Sequence, residues 1–283
     1  MTNIDQFESV FKSASKSVYE YQPVDIETIL VVTDLPEEGT KTFTQKVRDF
    51  LPILSDKNWS ELPGTEFETV GELLDRVREA KPDLVCTYRN LHSTAWKWPY
   101  SLGSHLTALT QDTPQPVLVL PHPEAGREAE HALQNTASVM AITDHLTGDH
   151  QLVNMARRFT QKSGTLHLTH IEDRATFERF LETISKIPSI DTDSAREEIA
   201  TQLLKEPREY IDTCKKILAD QNLDLNVHAI VTLGRRIEEY KKLIDSHTVD
   251  LLVFHTRDED QLAMHGLAHP LAVELRHIPL LMI

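Results

Sequence analysis

Three landmarks occur twice along this chain in the same order, and that repetition constrains the fold more than any single motif. An apolar strand ending in Thr-Asp stands at Thr28-Ile-Leu-Val-Val-Thr-Asp34 and again at Ser138-Val-Met-Ala-Ile-Thr-Asp144. A helical pattern running into Asp-Leu and an apolar strand occurs at Asp83 and at Asp250, and a proline-led apolar strand at Pro116 and at Pro279. An ordered set of three inside matching helix and strand patterns marks an internal duplication. The strands are continuous aliphatic and β-branched runs, which suit parallel strands buried on both faces. Their alternation with helical segments predicts right-handed βαβ crossovers and an open parallel sheet.

The expected fold class is therefore α/β, with two Rossmann-like parallel-sheet domains in tandem, the first one truncated. In the first, residues 26–121, helices are expected over about 40–53, 72–80 and 102–110, with a short extended piece around 67–70. This copy lacks one strand–helix unit between its first helix and Phe67. A polar segment rich in turn residues supplies the linker, 122–137. In the second, residues 138–283, strands are expected at 164–170, 225–233 and 250–254. A long charged helical region runs from Arg174 to Gln221, interrupted around Pro188 and Pro207. Residues 1–25 carry Phe7, Val10, Phe11 and Val18 near helical spacing and read as an N-terminal helix or arm packed on the first domain.

The repeat resembles the universal stress protein family in its two-domain form, over nearly everything from Thr28 to Ile283. The resemblance implies five-stranded parallel (HUP-type) domains whose first strand ends in an aspartate beside the adenine of ATP. It also implies a GxxG motif after the fourth strand, followed nine residues later by Gly-Ser or Gly-Thr. Glycine is needed there because a Cβ blocks the approach of backbone to phosphate. Asp34 and Asp144 match the strand-end aspartate, Thr256-Arg257 matches the Thr-Arg between the first glycines, and Gly103-Ser104 matches the closing pair. Those six residues are the candidate nucleotide ligands.

Most of the glycines are missing. The chain has nine, where an average composition of about 7% gives roughly twenty. His255 and Asp258 occupy the GxxG positions of the second copy, and Ala268-His269 the Gly-Ser position; Tyr88 to Ser93 in the first copy holds Arg89, Asn90 and His92 and no glycine. Degenerate motifs of this kind imply a non-catalytic stress-response or regulatory protein with no cofactor, acting through protein partners or a small ligand. Two alternatives stand beside it: an ATP-binding switch or weak ATPase using the first domain, and a scaffold docking on a larger partner through the N-terminal arm. Family members dimerise through the last strand, which here implies an intramolecular pseudo-dimer, with a homodimer as the alternative.

Other classes are disfavoured. Lys plus Arg is 29 against 44 Asp plus Glu, and a formal charge of −15 opposes binding to nucleic acid or to anionic membranes. The two cysteines form no CxxC pair, no apolar run reaches the roughly 18 residues of a membrane span, and the N-terminus lacks a signal pattern, so a cytoplasmic location is expected. No GxSxG elbow is present. Among fourteen histidines, His167 and His170 point to opposite faces of a strand, and His265 and His269 lack an HExxH context, so no metal site is expected. Trp96, Trp98 and Tyr100 read as an aromatic plug of the core or of an interface.

Overall fold

The two proline-led strands meet each other. In a computed structural model describing residues 17–98, 100–143, 145–256 and 268–283, β4 (Val117–Leu120) runs antiparallel to β9 (Leu280–Met282), with Leu118 opposite Leu281. This seam joins two parallel half-sheets into one nine-stranded sheet of order β2-β1-β3-β4-β9-β8-β5-β6-β7. The first half consists of β1 (Thr28–Val32), α1 (Glu37–Phe50), β2 (Asn58–Leu62), α2 (Val70–Ala80), β3 (Leu84–Tyr88), α3 (Ser104–Asp112) and β4. The second consists of β5 (Ser138–Thr143), α4 (His150–Phe159), β6 (Thr165–Asp173), α5 (Arg174–Ile184), α6 (Thr192–Asp220), β7 (Asn226–Gly234), α7 (Arg236–Ser246), β8 (Leu251–Phe254), α8 (Ala268–Glu274) and β9. The counterpart of α5, α6 and β7 is absent from the first half, where the chain passes from β2 directly to α2.

The repeated Asp-Leu landmark has a structural purpose in both halves. The Asp83 carboxylate accepts hydrogen bonds from the Glu27 and Thr28 backbone N–H groups and the Thr28 hydroxyl, each at 2.9 Å. Asp250 accepts the Ser138 backbone N–H at 2.8 Å. Each aspartate thus satisfies donors at the start of the adjacent first strand, groups that the sheet ladder leaves unpaired. The strand bodies behave as their composition dictates: every residue of β3, β4, β8 and β9 is buried.

Three expectations are corrected. The second strand of the first half is Asn58–Leu62, and the extended piece placed at 67–70 is the entry to α2, closed by a capping box between Thr69 and Glu72. Pro207 does not interrupt its helix; α6 continues through it and buries Pro207, Tyr210, Ile211, Cys214 and Leu218. Burial of that face offsets the roughly 3 kcal/mol cost of an interior proline. Finally, residues 17–27 have no helix, and the arm docks on the second half: the Tyr19 N–H donates to Thr213 Oγ1 at 2.9 Å and its hydroxyl to Asn154. Phe7, Val10 and Phe11 lie outside the described residues.

Candidate functional site

Ligands of open α/β sheets bind beyond the carboxyl ends of the strands, where the strand order reverses. In the first half that point lies between β1 and β3, and Asp34, just past β1, stands beside it. Its carboxylate is already occupied. One oxygen accepts the hydroxyl of Tyr88, the last residue of β3, and the other accepts the His92 backbone N–H at 2.8 Å. The Asp34 N–H in turn donates to the Tyr88 oxygen at 3.2 Å. Burial, reinforced by the Asp34 carboxylate, pushes the Tyr88 phenol up, so it remains a donor. Gly64 closes the other side, where a Cβ would lie 2.5 Å from the Asp34 carbonyl carbon.

Aromatic rings fill the space around this pair. Tyr88 meets Phe43 and His122 edge-on at 5.1 and 4.9 Å between centroids, and Trp96 stacks on His122 at 4.7 Å. Phe67 packs on His92 and His105 at 4.9 and 5.8 Å. Burial holds His105 and His122 below the usual histidine range, which keeps these rings neutral near pH 7. Of the three aromatics placed in a plug of the core or of an interface, Trp96 packs on the rings of this crevice; Trp98 and Tyr100 are 63% and 80% exposed, which corrects the core placement for those two.

The loop carrying the glycine-free motif is turned inward. Arg89, the first residue after β3, is buried and donates to the carbonyls of Val273 and Leu275 at 3.3 and 2.7 Å, at the end of α8. Gly103 has φ +87° as the N-cap of α3, and a Cβ there would stand 2.7 Å from the Asn90 Cα. Its close approach is to its own chain. Ser104 is the first helical residue, exposed at the N-terminus of α3, and the N-cap position, taken by Gly103, provides no side-chain cap. Beside the filled crevice, Gly64, Thr65, Phe67 and His92 line a shallow groove of about 420 Å³ together with Glu66, Glu68 and Glu72. Backbone donors from Thr69 and Glu68 hold the Glu72 carboxyl below the usual range, so the groove is anionic and repels a polyphosphate.

In the second half, Asp144 and Arg257 lie outside the described residues. Thr256 is buried, and its N–H and hydroxyl donate to the Ile283 carbonyl at 2.8 and 3.2 Å. His255, at the first GxxG position, places Nε2 2.9 Å from Asp149, whose carboxylate also caps α4 by accepting the Leu152 N–H. Sequence reasoning missed Tyr88, Gly64 and the His255–Asp149 pair. The one available signal was an aromatic residue closing a strand expected next to β1.

Both cysteines are buried, and burial pushes their thiols up, Cys214 to about 12, so neither offers a thiolate near neutral pH. Among the described residues no helix is long and apolar enough to cross a membrane.

No protein-family model and no curated protein matches the sequence. Solved structures do. A protein of unknown function from Pseudomonas aeruginosa PAO1 superposes with a TM-score of 0.51 at 11% identity, covering 91% of this chain and 92% of its own. A protein from Pseudomonas aeruginosa UCBPP-PA14 described as a universal stress protein gives 0.51 at 13% identity, covering 91% and 93%. With the two half-sheets and their antiparallel seam already described, these likenesses identify the fold as that of the universal stress proteins.

Proposed function

We propose that this chain is a regulatory protein of the universal stress type that performs no chemistry of its own and holds no nucleotide. The observation that carries the reading is the occupied Asp34 carboxylate, which accepts from Tyr88 and His92 where an adenine or ribose would otherwise be bound. Three further features support it. Arg89 is committed to carbonyls of the second half, Gly103 to the Asn90 backbone, and the adjoining groove carries three glutamates. Elevated thiols at Cys86 and Cys214 support the absence of a cysteine nucleophile. The β4–β9 pairing supports an intramolecular pseudo-dimer, because it uses within one chain the edges that two subunits would otherwise share.

The rival reading, an ATP switch in the first half, draws on the exposed Ser104 at the α3 N-terminus, where backbone donors favour an anion. Native mass spectrometry of the protein as purified separates the two. The regulatory reading expects the mass of the chain without a nucleotide; a retained adenine nucleotide contradicts it.

A further inference from the structure

At the end of the sheet opposite the crevice, three histidines converge. His167 and His228 are register partners on β6 and β7, so their side chains leave the same face of the sheet. His247 follows the last turn of α7 and brings a third ring to them, with centroids 5.2, 4.7 and 5.1 Å apart. One ligating nitrogen of each lies within 4.8 Å of the other two, and the Nδ1 atoms of His167 and His228 are 3.1 Å apart. Two nitrogens sharing a tetrahedral zinc at about 2.0–2.1 Å sit roughly 3.3 Å from each other, close to that separation.

The protonation pattern agrees with a shared ion. Ser138 Oγ donates to the His247 carbonyl at 3.0 Å, which leaves it to accept from His167 Nε2 at 3.2 Å. The His167 proton is therefore on Nε2, and the Nδ1 lone pair faces the cluster, the arrangement in which an outer hydrogen bond orients a metal-binding imidazole. Burial and the neighbouring histidines hold His167 down, to about 4, and burial together with His247 and Lys215 holds His228 down, so both rings are neutral near pH 7. Lys215 is the opposing charge; its side chain is 42% exposed and its ammonium lies 3.7 Å from the Asp212 carboxylate, which draws it toward solvent. His167 is buried, His247 half-buried and His228 exposed, which gives an ion a fixed floor and an open outer position.

We propose that His167, His228 and His247 form a binding site for one divalent first-row transition-metal ion of the zinc class, with a fourth position open to water. Three imidazoles and no carboxylate suit zinc, copper or nickel and disfavour magnesium or calcium. A bound ion ties the edge strand β7 to β6 and to the end of α7.

The test uses the full chain, stripped with a chelator and titrated with zinc against a chromophoric competitor, and separately with cobalt. The expected result is one equivalent bound, with the visible absorption of four-coordinate cobalt. The double variant His228→Ala with His247→Ala, at the two less buried rings, is expected to keep the far-ultraviolet circular dichroism of the parent, to weaken zinc binding at least tenfold and to lose the cobalt band. His167→Gln gives a second variant with the same expected loss. Zinc uptake by the parent no tighter than by the double variant, or no uptake at all, overturns the proposal.

Discussion

The Tyr88 hydroxyl, at the end of β3, donates to the carboxylate of Asp34, at the end of β1. This pair spans the point where the strand order reverses and closes it from within. Removing the hydroxyl by Tyr88→Phe leaves a half-buried carboxylate with the His92 N–H as its other protein donor. A loss of about 1–3 kcal/mol of stability is expected. Urea denaturation measures it, and an unchanged midpoint contradicts the role given to the pair.

Two glycine substitutions are expected to act in opposite directions. Gly103→Ala forces a Cβ onto a residue at φ +87° and to within 2.7 Å of the Asn90 Cα, so a destabilisation of roughly 2 kcal/mol or more is expected from strain and displacement together. Gly71, exposed in the first turn of α2, has nothing within 4 Å of its Cβ position. Gly71→Ala is expected to stabilise by about 0.4–1 kcal/mol, because it restricts the unfolded chain. Thermal melts of the two variants beside the parent give the comparison.

The equivalent aspartates 83 and 250 are expected to differ in pH dependence. Hydrogen bonds, first from the Glu27 N–H and then from Thr28, hold the Asp83 carboxyl below its ordinary value. Its contribution is present above the unfolded value of about 3.9 and is lost as pH falls through the lower folded value. Asp250 is raised, because burial outweighs the donor from Ser138. Its ionised form therefore costs stability at neutral pH, and that cost is relieved as pH falls through the raised folded value. Denaturation from pH 7 to pH 3 is expected to show Asp83→Asn losing its deficit against the parent on acidification. Asp250→Asn is expected to be least harmful, relative to the parent, at neutral pH. Parallel pH profiles for the two variants contradict this assignment.

What the sequence revealed follows from where its residues end up. β1, β3, β4, β5 and β8 lie inside the sheet and are nearly unbroken apolar runs, so they were visible. β2 is an edge strand with Leu62 as its one buried residue, and its exposed Asn58, Ser60 and Glu61 leave no apolar run to mark it. Pro207 reads as a break by local propensity, but tertiary burial overrides it. The arm's attachment depends on Tyr19 meeting Asn154 and Thr213, partners that no local pattern announces.

The same limit applies to the sites. Asp34 was legible as a strand-end aspartate, whereas its partner Tyr88 lies on another strand and is found through the adjacency of β1 and β3. The histidine cluster requires the register of β6 on β7 together with the end of α7. Pairing histidines by sequence spacing set His167 against His170 and His265 against His269 and rejected both pairs; His170 is bonded to Glu172.

The central claim is that the crevice of the universal stress fold is closed to nucleotide in the first half of this chain. Isothermal titration of the purified protein with ATP and magnesium, beside the Ser104→Ala variant, tests it most directly. The account predicts no saturable heat up to about 1 mM ligand for either protein. Saturable binding tighter than about 100 μM that disappears in Ser104→Ala contradicts it.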